Sequence, residues 1–332
     1  MNNSRFKKDI SLCIEELYKK YLPEQENNAV KYYDPKLKYY SPNQASKEKN
    51  KFAICLVTVD GDVYTTGDCK FPFSLQSISK VFSYSLALDD HGRDFVLSKV
   101  GVEPSGEFFH SITFDRHNNR PHNPMVNAGA LVTSNLIKGD NLTKKFNRVI
   151  RLMRLFSGNK NLELDNEAFK SELLAADRNR AIAYFMRSKG MIEGRVTELI
   201  SLYLKQCTVM VNSYDLAVMA ATLANGYVNP ITKKQVLPID HIRDVLSVLY
   251  TCGMYNFAGQ WAFEIGFPAK SGVSGGILAV IPGKGGLGIY SPGLDSYGNS
   301  VRGIKVCRDL SKRHGLHVFA SETEDSILNE PT

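Results

Sequence analysis

Ser77 and Lys80 are the residues whose types and spacing most directly suggest chemistry in this chain of 332 residues. They stand in an S-x-x-K pattern within Phe73-Ser74-Leu75-Gln76-Ser77-Ile78-Ser79-Lys80, at the expected start of a helix after a Gly67-Asp68 turn. Positions i and i+3 of a helix share a face, so a hydroxyl and an amine at this spacing can touch. A buried amine that gives up its proton can take one from the hydroxyl. The chemistry is serine acyl transfer with a lysine base.

The same spacing occurs at Ser4/Lys7, Ser46/Lys49 and Ser157/Lys160, all in charged or polar runs. Ser77/Lys80 instead has Phe71, Phe73, Leu75, Ile78, Val81 and Phe82 around it. Apolar burial is what a lysine base needs, because desolvation disfavours its charged form. Further on comes Lys270-Ser271-Gly272, the K-[ST]-G box that follows S-x-x-K in penicillin-recognising enzymes. A Lys270 cation beside Lys80 would lower the Lys80 pKa further by like-charge repulsion.

The elements that must position these residues follow from periodicity. Phe6, Ile10, Ile14, Leu17 and Tyr21 predict an amphipathic helix over residues 4–22. Residues 23–50 are polar and read as irregular. Residues 52–59 read as a strand, and Asp60-Gly61 signals a hairpin into a second one. Helices are predicted at 77–90, 128–138, 142–156, 177–189, 194–206, 213–225 and 239–251. Residues 264–267 read as a strand, 276–282 with 287–290 as a hairpin, and 301–314 as a closing helix. Strands at both ends with helices between predict an α/β fold, a mostly antiparallel sheet flanked by helices with an all-helical insertion. The chain is expected to be a single catalytic unit over 1–332. Residues 1–75 and 255–332 would form the α/β subdomain and 76–254 the helical one. Residues 105–121, with Phe108, Phe109, Ile112 and Phe114, read as a loop that serves as a lid or subunit contact, or packs onto the core.

Composition narrows the function classes. Hydrophobic residues make up 43% and charged residues 23%, ordinary for a globular protein. No apolar run reaches the roughly 20 residues of a membrane span. The N-terminus lacks an apolar stretch of signal-peptide type and carries Asp9, Glu15 and Glu16, so the cytoplasm is the expected location. The net charge of +7 is spread along the chain, with no dense basic run for nucleic acid. The six cysteines form no C-x-x-C and read as core thiols. Among seven histidines there is no H-E-x-x-H, and His314/His317 lacks a third ligand, so no metal or other cofactor is expected. Gly283-x-Gly285-x-x-Gly288 matches a dinucleotide fingerprint, but Ile289-Tyr290-Ser291-Pro292 follows where a helix should. It reads as a hairpin turn.

Longer segments carry a resemblance. Gln76-Ser77-Ile78-Ser79-Lys80-Val81-Phe82, Asn123-Pro124-Met125-Val126-Asn127-Ala128-Gly129-Ala130, Asp177-Arg178-Asn179, Cys252-Gly253-Met254-Tyr255, Pro268-Ala269-Lys270-Ser271-Gly272-Val273 and Gly298-Asn299-Ser300-Val301-Arg302-Gly303 occur in this order. Together they resemble the serine-dependent glutaminases of the β-lactamase-like fold, in their short bacterial-type form, over roughly residues 31 to 310. The resemblance implies Ser77 as nucleophile, Lys80 as base and Tyr255 as proton relay. It implies an oxyanion hole from the backbone N–H groups of Ser77 and Val273. It implies that Tyr33, Gln76, Asn127, Glu172, Asn179 and Tyr203 hold the substrate, L-glutamine. Tyr33 lies in Tyr32-Tyr33-Asp34-Pro35, which departs from the family's usual sequence there.

These roles suit the residue types. Glutamine is a zwitterion, whose ammonium Glu172 can pair and whose carboxylate neutral amides and tyrosines can bind. Taken singly, Asn179 could cap a helix, Glu172 could be a surface charge and Tyr203 a core ring. Besides substrate, the expected partners are further copies of the chain, as a homodimer or homotetramer, with no nucleic acid or membrane. The rivals to a glutaminase are a penicillin-recognising hydrolase or peptidase, and a silent scaffold of the same fold.

Overall fold

The computed structural model describes residues 3–24, 50–107, 111–115 and 117–320. Its framework is a five-stranded antiparallel sheet in the order β2-β1-β7-β6-β5. The strands are β1 (Ala53–Thr58), β2 (Val63–Gly67), β5 (Ala269–Ser271), β6 (Gly276–Ile281) and β7 (Gly285–Tyr290). Early and late segments therefore build one sheet, as predicted. A two-stranded ribbon pairs β3 (Phe73–Ser74) with β4 (Met210–Val211).

The central strands are apolar on both faces because both faces are covered. In β1, Ala53, Cys55 and Val57 join one core, while Ile54 and Leu56 join the other. The second core is closed by α1 (Asn3–Tyr21), α11 (Ala258–Glu264) and α12 (Val301–His314). Ile10, Cys13, Ile14, Leu17 and Tyr21 of α1 are buried there, at the predicted helical intervals. The first core lies between the sheet and the helices that run from α2 (Lys80–His91) to α10 (Ile242–Cys252).

The glycine pattern of β7 has a packing cause. Helix α9 (Ser213–Ala224) crosses this strand, and its backbone lies where side chains would be. A Cβ on Gly286 would meet Ala221 N at 2.1 Å, and one on Gly288 would meet Ser213 O at 2.0 Å. Gly283 sits in the turn between β6 and β7 with φ +70°. The fingerprint-like glycines thus serve a hairpin and a close helix, not a phosphate. Gly288→Ala should cost about 3 kcal/mol or more, since its clash is with backbone. Gly259→Ala meets nothing within 4 Å and should be neutral. Thermal denaturation compares the two; equal midpoints would refute the close-approach explanation.

The remaining helices are α3 (Arg93–Lys99), α4 (Asn127–Leu136), α5 (Leu142–Ser157), α6 (Asn166–Leu174), α7 (Asp177–Ser188) and α8 (Val196–Cys207). The strand expected at 264–267 is not formed. Glu264 ends α11, and the strand begins at Ala269, past Pro268. Helix α11 has 7 residues and α3 also has 7, too few for a periodicity to declare itself. Residues Gln76–Ser79 form a 3₁₀ turn, so the predicted helix from 77 starts as α2 at Lys80. In the 105–121 loop, Phe114 stacks on Phe185 of α7 with centroids 5.3 Å apart, while Ile112 is exposed. Phe108 and Phe109 lie outside the described residues. All six cysteines are buried and unbridged. No described helix is long and apolar enough to cross a membrane.

Candidate active site

Ser77 sits where a strand is forced into a helix. Strand β3 ends at Ser74, Leu75 N donates to Val209 O at 2.9 Å, and the 3₁₀ turn follows at once. Gln76 takes a left-handed φ of +50° to make the corner. Tyr255, at +54°, is another of the few non-glycine residues with positive φ. Such backbone costs roughly 1–3 kcal/mol and persists only where packing fixes it. In a 3₁₀ turn, side chains at i and i+3 lie on one side, and Ser77 is followed at that spacing by Lys80, the residue that ends the turn. Both are buried, Ser77 at 7% exposure and Lys80 at 0%.

The Lys80 amine donates to Met125 O at 3.0 Å and to Asn127 Oδ1 at 2.8 Å. Burial drives its pKa down to about 8, against a small opposing effect from Cys207. Lys270, also 0% exposed, donates to Gly253 O at 3.0 Å and Ser271 O at 2.6 Å. Burial and the nearby Lys80 charge push Lys270 well below the usual lysine range. Two buried amines this near each other disfavour carrying charge at the same time. Burial is the main cause that lowers Lys80.

Asn127 is the hub of the polar cluster. It opens α4 and its Oδ1 takes the Lys80 bond together with a 3.4 Å bond from the Tyr203 hydroxyl on α8. Its Nδ2 donates to Asn179 Oδ1 at 3.0 Å. Asn179 lies inside the first turn of α7, whose N-cap is Ala176, so it is no cap. Gln76 Nε2 donates to Glu172 Oε1 on α6 at 3.0 Å and to Ser74 Oγ at 3.2 Å. Glu172 keeps part of its side chain at the surface, but its carboxylate is sunk against Gln76. That burial raises its pKa, with the Gln76 bond opposing. Burial also lifts the Tyr203 hydroxyl well above its ordinary value, so it stays a neutral donor.

Tyr255 and the turn after β5 close the other side. The Tyr255 hydroxyl donates to Ser271 O at 3.1 Å, and Lys270 Nζ lies 4.4 Å from its ring centroid. Val273 is in the turn between β5 and β6. Gly272 lets this turn abut the Leu75–Ile78 segment: a Cβ there would lie 3.0 Å from Leu75 O and 3.3 Å from Ile78.

The structure thus links Lys80, Asn127, Asn179 and Tyr203 in one network, with Gln76 and Glu172 bonded to each other beside Ser77. Tyr33 lies outside the described residues. The Ser157/Lys160 pattern makes no such pair, since Ser157 Oγ donates to Arg154 O and Lys160 is exposed. Sequence reasoning missed the Met125 carbonyl, which carries no side-chain signal, and Cys207, whose thiol lies 3.7 Å from Ser79 Oγ. Among the described residues no group of three or more His, Cys, Asp or Glu is placed to hold a metal.

An antiparallel sheet built from early and late segments of the chain and flanked by helices is a β-lactamase-like fold. The chain belongs to the glutaminase family, whose model matches residues 36–319. A glutaminase of Trichormus variabilis is 55% identical over 280 residues, covering 84% of each chain. The solved structure of the probable glutaminase ybaS superposes with a TM-score of 0.85 at 36% identity, covering 94% of this chain and 98% of that one. The structure of Mglu in its glutamate form gives 0.82 at 36% identity, covering 96% of this chain and 70% of that one.

Proposed function

We propose that this protein hydrolyses L-glutamine to L-glutamate and ammonia through a γ-glutamyl-serine intermediate. The observation that carries the reading is a fully buried lysine amine, held by Met125 O and Asn127 Oδ1, three residues after a buried serine at a left-handed corner. With two N–H directions of Lys80 held by Met125 O and Asn127 Oδ1, deprotonation leaves its lone pair in another tetrahedral direction. The neutral amine takes the Ser77 proton as Oγ attacks the side-chain carbonyl of glutamine. The oxyanion is held by the N–H groups of Ser77 and Val273. As the C–N bond breaks, Tyr255 relays a proton to the nitrogen and ammonia leaves. Water then attacks the ester, its proton returns through Lys80, and glutamate is released from Ser77.

Substrate recognition follows charge. Glu172 pairs with the α-ammonium, which favours its ionised form despite burial. Gln76, Asn127, Asn179 and Tyr203 bind the rest of the amino acid with neutral groups, and Tyr33 would join them from the preceding segment. Ammonia release from L-glutamine by the purified protein tests the reading. Opening of a β-lactam without ammonia release would overturn it in favour of a penicillin-recognising hydrolase, and silence on both in favour of a scaffold.

Glu172→Gln keeps the shape and removes the charge. A hydrogen bond to a charged group is worth about 1.5–3 kcal/mol, so kcat/KM should fall at least about tenfold. Discrimination against analogues without the amino group should weaken as well. Unchanged kinetics would remove Glu172 from the site.

A further inference from the structure

Lys80 leans on a carbonyl, and a carbonyl cannot hold itself. Met125 O is set by the side chain of Asn123, a residue 2% exposed. Asn123 Oδ1 accepts the backbone N–H of Met125 at 3.0 Å and of Val126 at 3.2 Å, spanning Pro124, which has no N–H to offer. Its Nδ2 donates to Glu103 O at 2.8 Å, tying this turn to the segment that leaves α3. Glu103 N in turn donates to His122 O at 3.0 Å. Helix α4 closes directly on the same residue: a Cβ on Gly129 would lie 1.9 Å from Asn123 O. One amide thus fixes the Met125 peptide and the entry of the helix that starts with Asn127. Both acceptors of the Lys80 amine depend on it.

We propose that Asn123 is a positioning residue for the base, holding Met125 O and Asn127 Oδ1 in register with Lys80 Nζ. The inference rests on Lys80 being the base of the proposed reaction. Asn123 touches neither Ser77 nor Lys80 by any hydrogen bond the structure gives, so it acts through the turn. The titratable groups facing Lys80 are the Cys207 thiol from α8 and the Lys270 amine from β5. Tyr203 shares the Asn127 oxygen, and Tyr255 lies beside Lys270. Against that unchanged background, an oxygen that turns away from Lys80 withdraws support from the ammonium more than from the amine.

Two readouts on wild type, Asn123→Ala and Asn123→Asp test this: kcat/KM against pH, and the Lys80 titration by ¹⁵N-lysine NMR. Lys80→Arg identifies the signal. In Asn123→Ala the Lys80 titration should move down by about half to one pH unit, as hydrogen-bond support for the charged form is lost. The acid limb of kcat/KM should follow, and its plateau should drop roughly tenfold because the base is misaligned. Asn123→Asp keeps an oxygen for both N–H groups and brings a negative charge, so it should move the titration up. Shifts of one sign in both variants, or a lowered plateau with an unmoved titration, would mean mere loosening and overturn the proposal. If Asn123→Ala fails to fold, Asn123→Asp decides alone, and an unmoved Lys80 signal overturns it. If the Lys80 signal moves in the variants while the rate limb stays put, the positioning role stands and Lys80 as base falls.

Discussion

Ser77→Ala should leave the fold in place and remove glutamine hydrolysis. The loss should be on the order of 10⁴-fold or more, the scale seen when a nucleophile is deleted from a unit that works together. The fold should survive because the corner is set by the Gln76 backbone and by the β3–β4 pairing, not by the serine hydroxyl. Circular dichroism and thermal melting provide the control. Ser157→Ala is the matched comparison. Its hydroxyl serves Arg154 O and Asn159 N at the end of α5, and it should keep full activity. Activity that survives Ser77→Ala and disappears in Ser157→Ala would reverse the assignment.

Lys80→Arg should be nearly inactive at every pH. In the proposed mechanism the amine must be neutral to take the Ser77 proton, and burial, which lowers its pKa to about 8, puts that transition within reach. The sign follows from the direction of the shift. Below pH 8 Lys80 is mostly charged and cannot accept; above it the amine is neutral. Wild-type kcat/KM should therefore rise with pH and reach half its plateau near pH 8, within about one unit. Arginine can donate to Met125 O and Asn127 Oδ1 but keeps its charge at any usable pH. No alkaline recovery is expected. A well-folded Lys80→Arg protein with substantial turnover would shift the base to another group, most directly Tyr255. A wild-type limb far below pH 8 would point to another group as the base, and Lys270, also lowered by burial, is the nearest amine to test.

Much of this site was legible in the chain. The apolar shell of Ser77/Lys80 singled out one S-x-x-K among several, and the structure buries both residues. The hairpin reading of Gly283 to Gly288 also held, because the residues after it could not begin a helix. What escaped was whatever depends on backbone or on distant partners. The Met125 carbonyl has no signature in a side chain. The left-handed corner at Gln76 falls on a residue type that does not announce it, unlike glycine. Helix α6, which carries Glu172, is partly exposed and weakly patterned, so the residue was placed by resemblance rather than by periodicity. The false strand at 264–267 came from reading a short apolar run by composition, when Pro268 made it the end of a helix.

The pairing of β1 with β7 has a consequence for how the molecule comes into being. Ala53 lies opposite Tyr290 and Thr58 opposite Gly285, so the central seam joins the beginning of the chain to its last quarter. During synthesis the β1–β2 hairpin emerges early with one edge open and apolar side chains on both faces. Its neighbour β7 does not leave the ribosome until all the helices from α2 to α11 have been made. A topology of such distant partners folds slowly and exposes its unpaired edge in the meantime. The nascent chain is thus most exposed to aggregation just before β7 arrives, and fragments that stop short of residue 285 leave β1 without the strand that closes the sheet.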